Sequence, residues 1–227
     1  MIITVINAAA VIAGGLLGLL LKGRVPEKYK LAVTSSIGLV TLVLGMRMAL
    51  EGHDVQILIP SLVAGGLIGT ALKIENGILK AGESLKKLIP TNEDSSMFAR
   101  GFLDASILFC VGPMTIIGSI QAGLSADYSI IFTKTFLDGF MALVLASAFG
   151  SGVVFSALSI LVIQGGITLG ASALSSFFSE NVLLQIGSMG GYLILMIALD
   201  LLGLKRIKTA NFLPALVLAA ILGYFMA

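Results

Sequence analysis

The 227-residue chain contains no tryptophan, one cysteine and one histidine, and only 11% of its residues are charged. A single cysteine, Cys110, excludes both a disulfide framework and a cysteine-rich zinc site. The single histidine, His53, falls in a short connector, so Ser172 in Gly170-Ala171-Ser172 lacks the base that a serine nucleophile needs. Neither G-x-S-x-G, H-E-x-x-H nor a phosphate loop occurs, so neither an enzyme nor a resident cofactor is expected. Soluble domains carry charge on roughly a quarter of their residues, which rules this chain out as one. A net charge of +2 also offers no surface for nucleic-acid phosphates.

What is plentiful is apolar: 57% of residues are hydrophobic and the mean hydropathy is +1.07. At roughly 20 apolar residues per bilayer crossing, the length admits seven or eight spans joined by short loops. Apolar stretches fall at 2–21, 31–50, 55–73, 98–124, 128–149, 152–178, 181–203 and 209–226. Lys22 and Arg24 follow the first stretch rather than precede it, so 2–21 reads as a retained span and not a cleaved signal. The longest polar insertion, 74–97, places Ile74, Ile78, Ala81, Leu85 and Leu88 at helical spacing opposite Lys80, Glu83, Lys86 and Lys87. That pattern predicts an amphipathic helix on the membrane surface or an extension of the third span.

Basic residues set the topology. Lys22, Arg24, Lys28 and Lys30 share one connector, Lys73, Lys80, Lys86 and Lys87 a second, and Lys205, Arg206 and Lys208 a third. The other connectors carry Glu51, Asp54, Asp127 and Glu180. By the positive-inside rule the three basic loops are cytoplasmic and both termini are outside.

Two internal repeats are visible. Ala13-Gly14-Gly15-Leu16-Leu17-Gly18 through Lys22 recurs 51 residues later as Ala64-Gly65-Gly66-Leu67-Ile68-Gly69 through Lys73. A sparser one, offset by 53, pairs Phe102 with Phe155, Ser106-Ile107-Leu108 with Ser159-Ile160-Leu161, Gly112 with Gly165, Thr115 with Thr168 and Ser119 with Ser172. Each copy carries a helix-breaking element, Cys110-Val111-Gly112-Pro113 in the first and Gln164-Gly165-Gly166 in the second. Paired Gly/Pro-interrupted segments point to a transporter binding site, because bare backbone is tolerated only where it faces protein or a wet cavity. Each broken segment fits either one kinked span or a re-entrant hairpin. The expected fold is therefore all-α and polytopic, with six transmembrane helices and two re-entrant hairpins, or eight spans. In the hairpin version 98–149 and 151–203 are inverted copies.

Four ionisable residues remain within spans. Arg100 and Asp104 lie four apart, as do Lys134 and Asp138, which puts each base and acid on one helix face. Charges buried in a bilayer are costly and usually pair with one another or line a path. Asp138, and secondarily Asp104, are the candidates for a coupling proton or sodium ion, with Lys134 as switchable partner or anchor for a substrate carboxylate. Gly112, Pro113, Thr115, Ser119, Gln121, Gln164, Gly165, Gly166 and Thr168 are the candidates for a substrate pocket, where helix amides freed at the breaks favour an anionic group. Gly14, Gly18, Gly65 and Gly69 are small-xxx-small packing signals, including for a dimer seam.

The motifs also resemble a known family. Ala13 to Lys22 with Pro26-Glu27, Phe109-Cys110-Val111-Gly112-Pro113-Met114 through Gly118-Ser119-Ile120-Gln121, and Leu137-Asp138-Gly139 are the first of them. Gly150 to Ser156, Gln164-Gly165-Gly166 and Asn211-Phe212-Leu213-Pro214-Ala215 complete the set. Together they resemble the YqgA-like family of small prokaryotic inner-membrane proteins, over essentially the whole chain. The resemblance implies a multi-pass protein of the cell membrane and names no substrate. The expectation from the residues is a secondary-active transporter of a small polar or anionic solute, coupled to H⁺ or Na⁺ and working as a homodimer. Residues 1–97 would be scaffold, 98–203 the transport unit and 204–227 the last span. The rival readings are an ion channel and a signalling or assembly protein without flux.

Overall fold

The structure is a computed structural model describing residues 1–21, 27–52, 54–87, 94–174 and 177–226, without the side chains of 27–31, 33, 113 and 174. Lys22, Arg24, His53 and Leu88 lie outside the described residues. Among the described residues every regular element is helical. The order is α1 (Ile2–Leu21), α2 (Glu27–Ala49), α3 (Val55–Leu72), α4 (Ile74–Lys87), α5 (Ser95–Cys110) and α6 (Pro113–Leu124). It continues with α7 (Ser129–Phe149), α8 (Gly152–Leu169), α9 (Ala171–Leu174), α10 (Glu180–Leu201) and α11 (Leu213–Phe225), which is entered through a 3-10 turn at Thr209–Phe212. Helices α1, α3, α7, α8 and α10 are long and apolar enough to cross a bilayer, and α5 with α6, bent by 60°, has the length and composition of a sixth if the pair is one span. Two further apolar segments, Thr34–Ala49 and Thr209–Phe225, are shorter. The chain is an all-α polytopic membrane protein.

The helices bury what a soluble helix would expose. On α1 the inward residues are Ile3, Thr4, Asn7, Ala8, Val11, Gly14, Gly15 and Gly18, at three- and four-residue spacing, while Leu16, Leu17 and Leu20 face outward. Lipid is as apolar as leucine, so small residues that permit close backbone approach gain more from the interior than large ones do. A Cβ on Gly14 would sit 2.0 Å from the Gly139 carbonyl oxygen of α7, and one on Gly18 would sit 2.2 Å from that of Leu143. The second copy of the stripe serves a different seam. There a Cβ on Gly65 would meet Ala215 of α11 at 2.4 Å, and one on Gly69 would meet the Asn211 oxygen at 1.8 Å. Both stripes therefore close seams within one chain.

These contacts fix helix directions. Asn7 meets Asp138, Gly14 meets Gly139 and Gly18 meets Leu143, so α1 and α7 run parallel. Gly152 of α8 lies against Phe98 of α5, and Ser159 Oγ is 2.8 Å from Ser106 Oγ, so α5 and α8 are parallel too. The two serines are partners under the 53-residue offset. Segments that run the same way cannot be inverted copies, and this corrects the expectation of inverted repeats. The hairpins are corrected by the same geometry. At 60° the 12 residues of α6 still advance ~9 Å along the direction of α5, which continues a crossing rather than reversing it. Helix α8 runs unbroken through Gly165-Gly166 and ends at Leu169. The reason is chemical: Pro113 lacks an amide and must interrupt the ladder, whereas a glycine pair keeps both amides and stays helical where its neighbours allow. Five long apolar helices, the bent α5–α6 pair and two shorter apolar segments make up the path.

Helix α4 packs on α5, with Gly82 against Ala99, and lies at the end where α3 stops and α11 begins. Asn211 Oδ1 accepts from the Glu75 amide at 2.9 Å while Glu75 Oε2 accepts from the Ala210 amide at 3.2 Å, so each side chain caps the other's helix. Lys73, Arg206 and Lys208 are thereby gathered at one end of the bundle, the grouping expected from charge.

The helix directions place Asp127 on the end that carries Met1 and Lys205 on the opposite end. In a Cys110-free background, Asp127→Cys and Lys205→Cys should react with an impermeant maleimide from opposite faces of the membrane. Reaction of both from one face would restore the hairpin path.

Candidate functional site

The break between α5 and α6 follows from one residue. Pro113 occupies the first position of α6 and cannot donate to the Phe109 carbonyl, its normal partner one turn back. Thr115 Oγ1 donates to that carbonyl instead, at 3.0 Å. Ser119 Oγ donates to the Thr115 carbonyl. The bend is thus repaired locally, and Gly112 is left as an N-cap without a side chain of its own.

Beside the bend lies a cavity of about 370 Å³ among α2, α5, α6, α7 and α10. Gly112 and Thr115 line it, together with Leu108, Phe109, Met141 and Ile194. Its charged residues are Lys134 and Asp138 from α7, Arg47 from α2 and Glu51 from the turn after α2. Lys134 and Asp138 are 5% and 7% exposed, and Lys134 Nζ bonds Asp138 Oδ2 across one helical turn. On the far side of Asp138, Asn7 Nδ2 donates to Asp138 Oδ2 at 3.0 Å and to Gln164 Oε1 at 2.9 Å. A polar chain therefore runs from the cavity through α7 and α1 to α8, in surroundings that are otherwise apolar.

The remaining candidates divide. Gln164 joins the chain, and Thr168 Oγ1 donates to the Gln164 carbonyl at 2.9 Å. Gly165 is buried against Met1, whereas a Cβ on Gly166 would meet nothing within 4 Å and that residue is exposed. Gln121 is half-buried and does not line the cavity. Asp104 lies elsewhere, lining a void of about 10 Å³ with Glu75, Arg100, Asp200 and Arg206. There Arg100 bonds Asp200 of α10 at 2.9 Å rather than its helical neighbour Asp104, because α10 brings a carboxylate within the reach of the long guanidinium arm. Burial pushes the Glu75 carboxyl above its ordinary value, against the pull of the Ala210 amide, Arg206 and Lys208. Three members of the central site were not anticipated: Asn7, Arg47 and Glu51. A lone amide within a 20-residue apolar span was the signal available for Asn7.

Fold and site together define a small multi-span membrane protein with an ion pair and two amides buried at its centre. The chain belongs to the family described as "Protein of unknown function (DUF554)", whose model matches residues 2–224. It is 33% identical over 220 residues to the "Uncharacterized membrane protein YdfK" of Bacillus subtilis (strain 168), covering 95% of this chain and 92% of that one. It is 30% identical over 220 residues to the "Uncharacterized protein YqgA" of Escherichia coli (strain K12), covering 94% and 92%. No solved structure matches.

Removing one member of a buried pair strands the other's charge, typically at a cost of about 3–5 kcal/mol, whereas removing both is far milder. Lys134→Met should destabilise the protein by about that much in mild-detergent denaturation. Lys134→Met with Asp138→Leu should recover most of the loss, and equal stability of the two variants would show that the pair is not buried as a unit.

Proposed function

We propose that the protein is a secondary-active transporter of a small polar or anionic solute, coupled to H⁺ or Na⁺. The observation that carries this reading is the Lys134–Asp138 pair facing a 370 Å³ cavity beside a proline-broken helix. A pair that served packing alone would have no use for an adjoining cavity, and its desolvation would be a net cost. A pair that opens to a solute can exchange partners: the ammonium takes an anionic group and the carboxylate takes a cation. The bend contributes the N-terminus of α6, whose partial positive charge favours an anion at Gly112. Gly112, Thr115, Lys134 and Asp138 all belong to segment 98–203, so that segment bears the site, and α2 with the turn after it closes it through Arg47 and Glu51. Asp104 occupies a separate cluster at the basic end, where it serves as a second titratable group on the solute's way out. We place the basic end in the cytoplasm of the cell membrane, on the charge rule, and the working unit is a homodimer.

Thermal unfolding of the purified protein, screened against amino acids, organic acids, polyamines and Na⁺, tests the reading. A ligand present at a hundred times its Kd stabilises by about 2.7 kcal/mol, a shift of several degrees. Stabilisation by at least one class is expected in the wild type, with loss in Lys134→Met for an anion and in Asp138→Asn for a cation. A ligand whose effect survives both Asp138→Asn and Lys134→Met would place binding elsewhere.

A further inference from the structure

Asp138 is held from two sides. Lys134 and the cavity lie on one, and α1 and α8 on the other. Asn7 Nδ2 uses its hydrogens on Asp138 Oδ2 and Gln164 Oε1, which leaves Asn7 Oδ1 and Gln164 Nε2 without partners although both residues are 0% exposed. Thr4 Oγ1, one turn before Asn7 on the same helix, is orphaned as well. Orphaned polar atoms at such depth are rare in folded proteins and call for a second state or a missing partner.

The orphaned amide atoms are complementary, one acceptor and one donor. Turning both amides over exchanges the idle set for the engaged set without changing their shape. Asn7 Oδ1 would then face Asp138 and Gln164 Nε2, accepting a hydrogen from each. That reversed chain requires a proton on Asp138, whereas in the present chain Asp138 only accepts. The mixed set does not suit a metal cation, which needs oxygens alone. The charged and titratable groups facing Asp138 are few. Among the described residues they are Lys134 on its own helix, Arg47 of α2 and Glu51 of the turn after it across the cavity, and Cys110 of α5 within electrostatic reach. From α1 and α8 come only Thr4, Asn7 and Gln164.

We propose that the site takes up one proton together with one small organic monoanion, Asp138 receiving the proton, the Asn7–Gln164 pair reversing to hold the neutral acid, and Lys134 receiving the anion. This rests on the transporter reading and narrows its solute. The charges balance. Asp138 gains its proton from solvent, Lys134 remains an ammonium, and the anion replaces the charge that the carboxylate gives up. Empty and loaded sites carry the same net charge, so neither strands an ion in a low-dielectric interior. Arg47 and Glu51 offset each other, and Leu108, Phe109 and Met141 suit a solute with an apolar body.

The test is calorimetric titration of the protein in nanodiscs with linear, branched and aromatic monocarboxylates and with their neutral amides, at about pH 6 and about pH 8. At least one acid is expected to bind and its amide not to, with affinity rising as pH falls by up to about tenfold per unit, the limit for one linked proton. In Asp138→Asn the acid should bind with no such dependence. Infrared difference spectra between the two pH values should show side-chain amide carbonyl bands moving with a carboxyl band. Those amide changes should vanish in Asn7→Leu, in Gln164→Met and in Asp138→Asn. Failure of every acid, equal binding of an amide, pH-independent binding in the wild type, or static amide bands would each overturn the proposal. The titration needs no flux, so the two readings fail separately. Stabilisation by a cation or neutral solute that depends on Asp138 would leave the transporter standing and remove the anion. Linked binding without solute movement in proteoliposomes would do the reverse.

Discussion

The structure depends on one buried ion pair. Lys134 and Asp138 sit one turn apart on α7, both buried, and their neighbours are arranged to make that placement tenable. α1 supplies Asn7 as a second partner for the carboxylate, and to do so it must approach α7 closely enough for the amide to reach. Gly14 and Gly18, facing Gly139 and Leu143, provide that closeness. The glycine stripe and the polar chain are thus two parts of one requirement: backbones in contact and a short amide bridging them. Gln164 extends the same logic to α8.

The bend at Gly112-Pro113 answers a different demand. Eight segments packed through small residues would leave little space at the centre. A proline that turns α6 away by 60° opens room beside the pair without leaving bare backbone in the apolar region. Thr115 makes this tolerable, since its hydroxyl replaces the amide that Pro113 lacks at the Phe109 carbonyl. The threonine that composition marks as a pocket hydroxyl is therefore committed first to the backbone. Its remaining face lines the cavity.

Much of the fold was legible in the chain because membrane insertion acts on segments one at a time. Span positions, the amphipathic α4 and the clustering of basic residues at one end all follow from local hydropathy and charge. Lys134–Asp138 was legible for the same reason, since four-residue spacing on a helix is a local property. What depended on a third partner was not. Arg100 and Asp104 have the same spacing, yet Arg100 turns to Asp200, 100 residues further along, because α10 happens to pass there. Gly165-Gly166 looked like a break equivalent to Gly112-Pro113, but a glycine pair only permits a break and a proline enforces one. Asn7 escaped notice because a single amide in an apolar span acquires meaning only when α7 and α8 are laid beside it. The direction of the second repeat, too, is a question of which helices end up parallel.

These corrections alter what kind of machine is plausible. Inverted hairpins would offer two equivalent half-sites meeting at the midplane, with symmetry supplying the inward and outward states. Parallel segments with one bend and one buried ion pair do not, so under the transporter proposal any switching comes from the site's own chemistry. Under that proposal the elements with two arrangements are few: the ion pair, exchanging partners, and the two amides, reversing. Both are centred on Asp138, with the cavity on one side and a dry seam of α1 and α8 on the other. A change of charge at that carboxylate is felt at once by the group that faces the cavity and by the helices that close the seam. Under the proposed transport, coupling between a small solute and the packing of α1 on α7 would require nothing longer than the hydrogen-bonded side chains of Lys134, Asp138, Asn7 and Gln164.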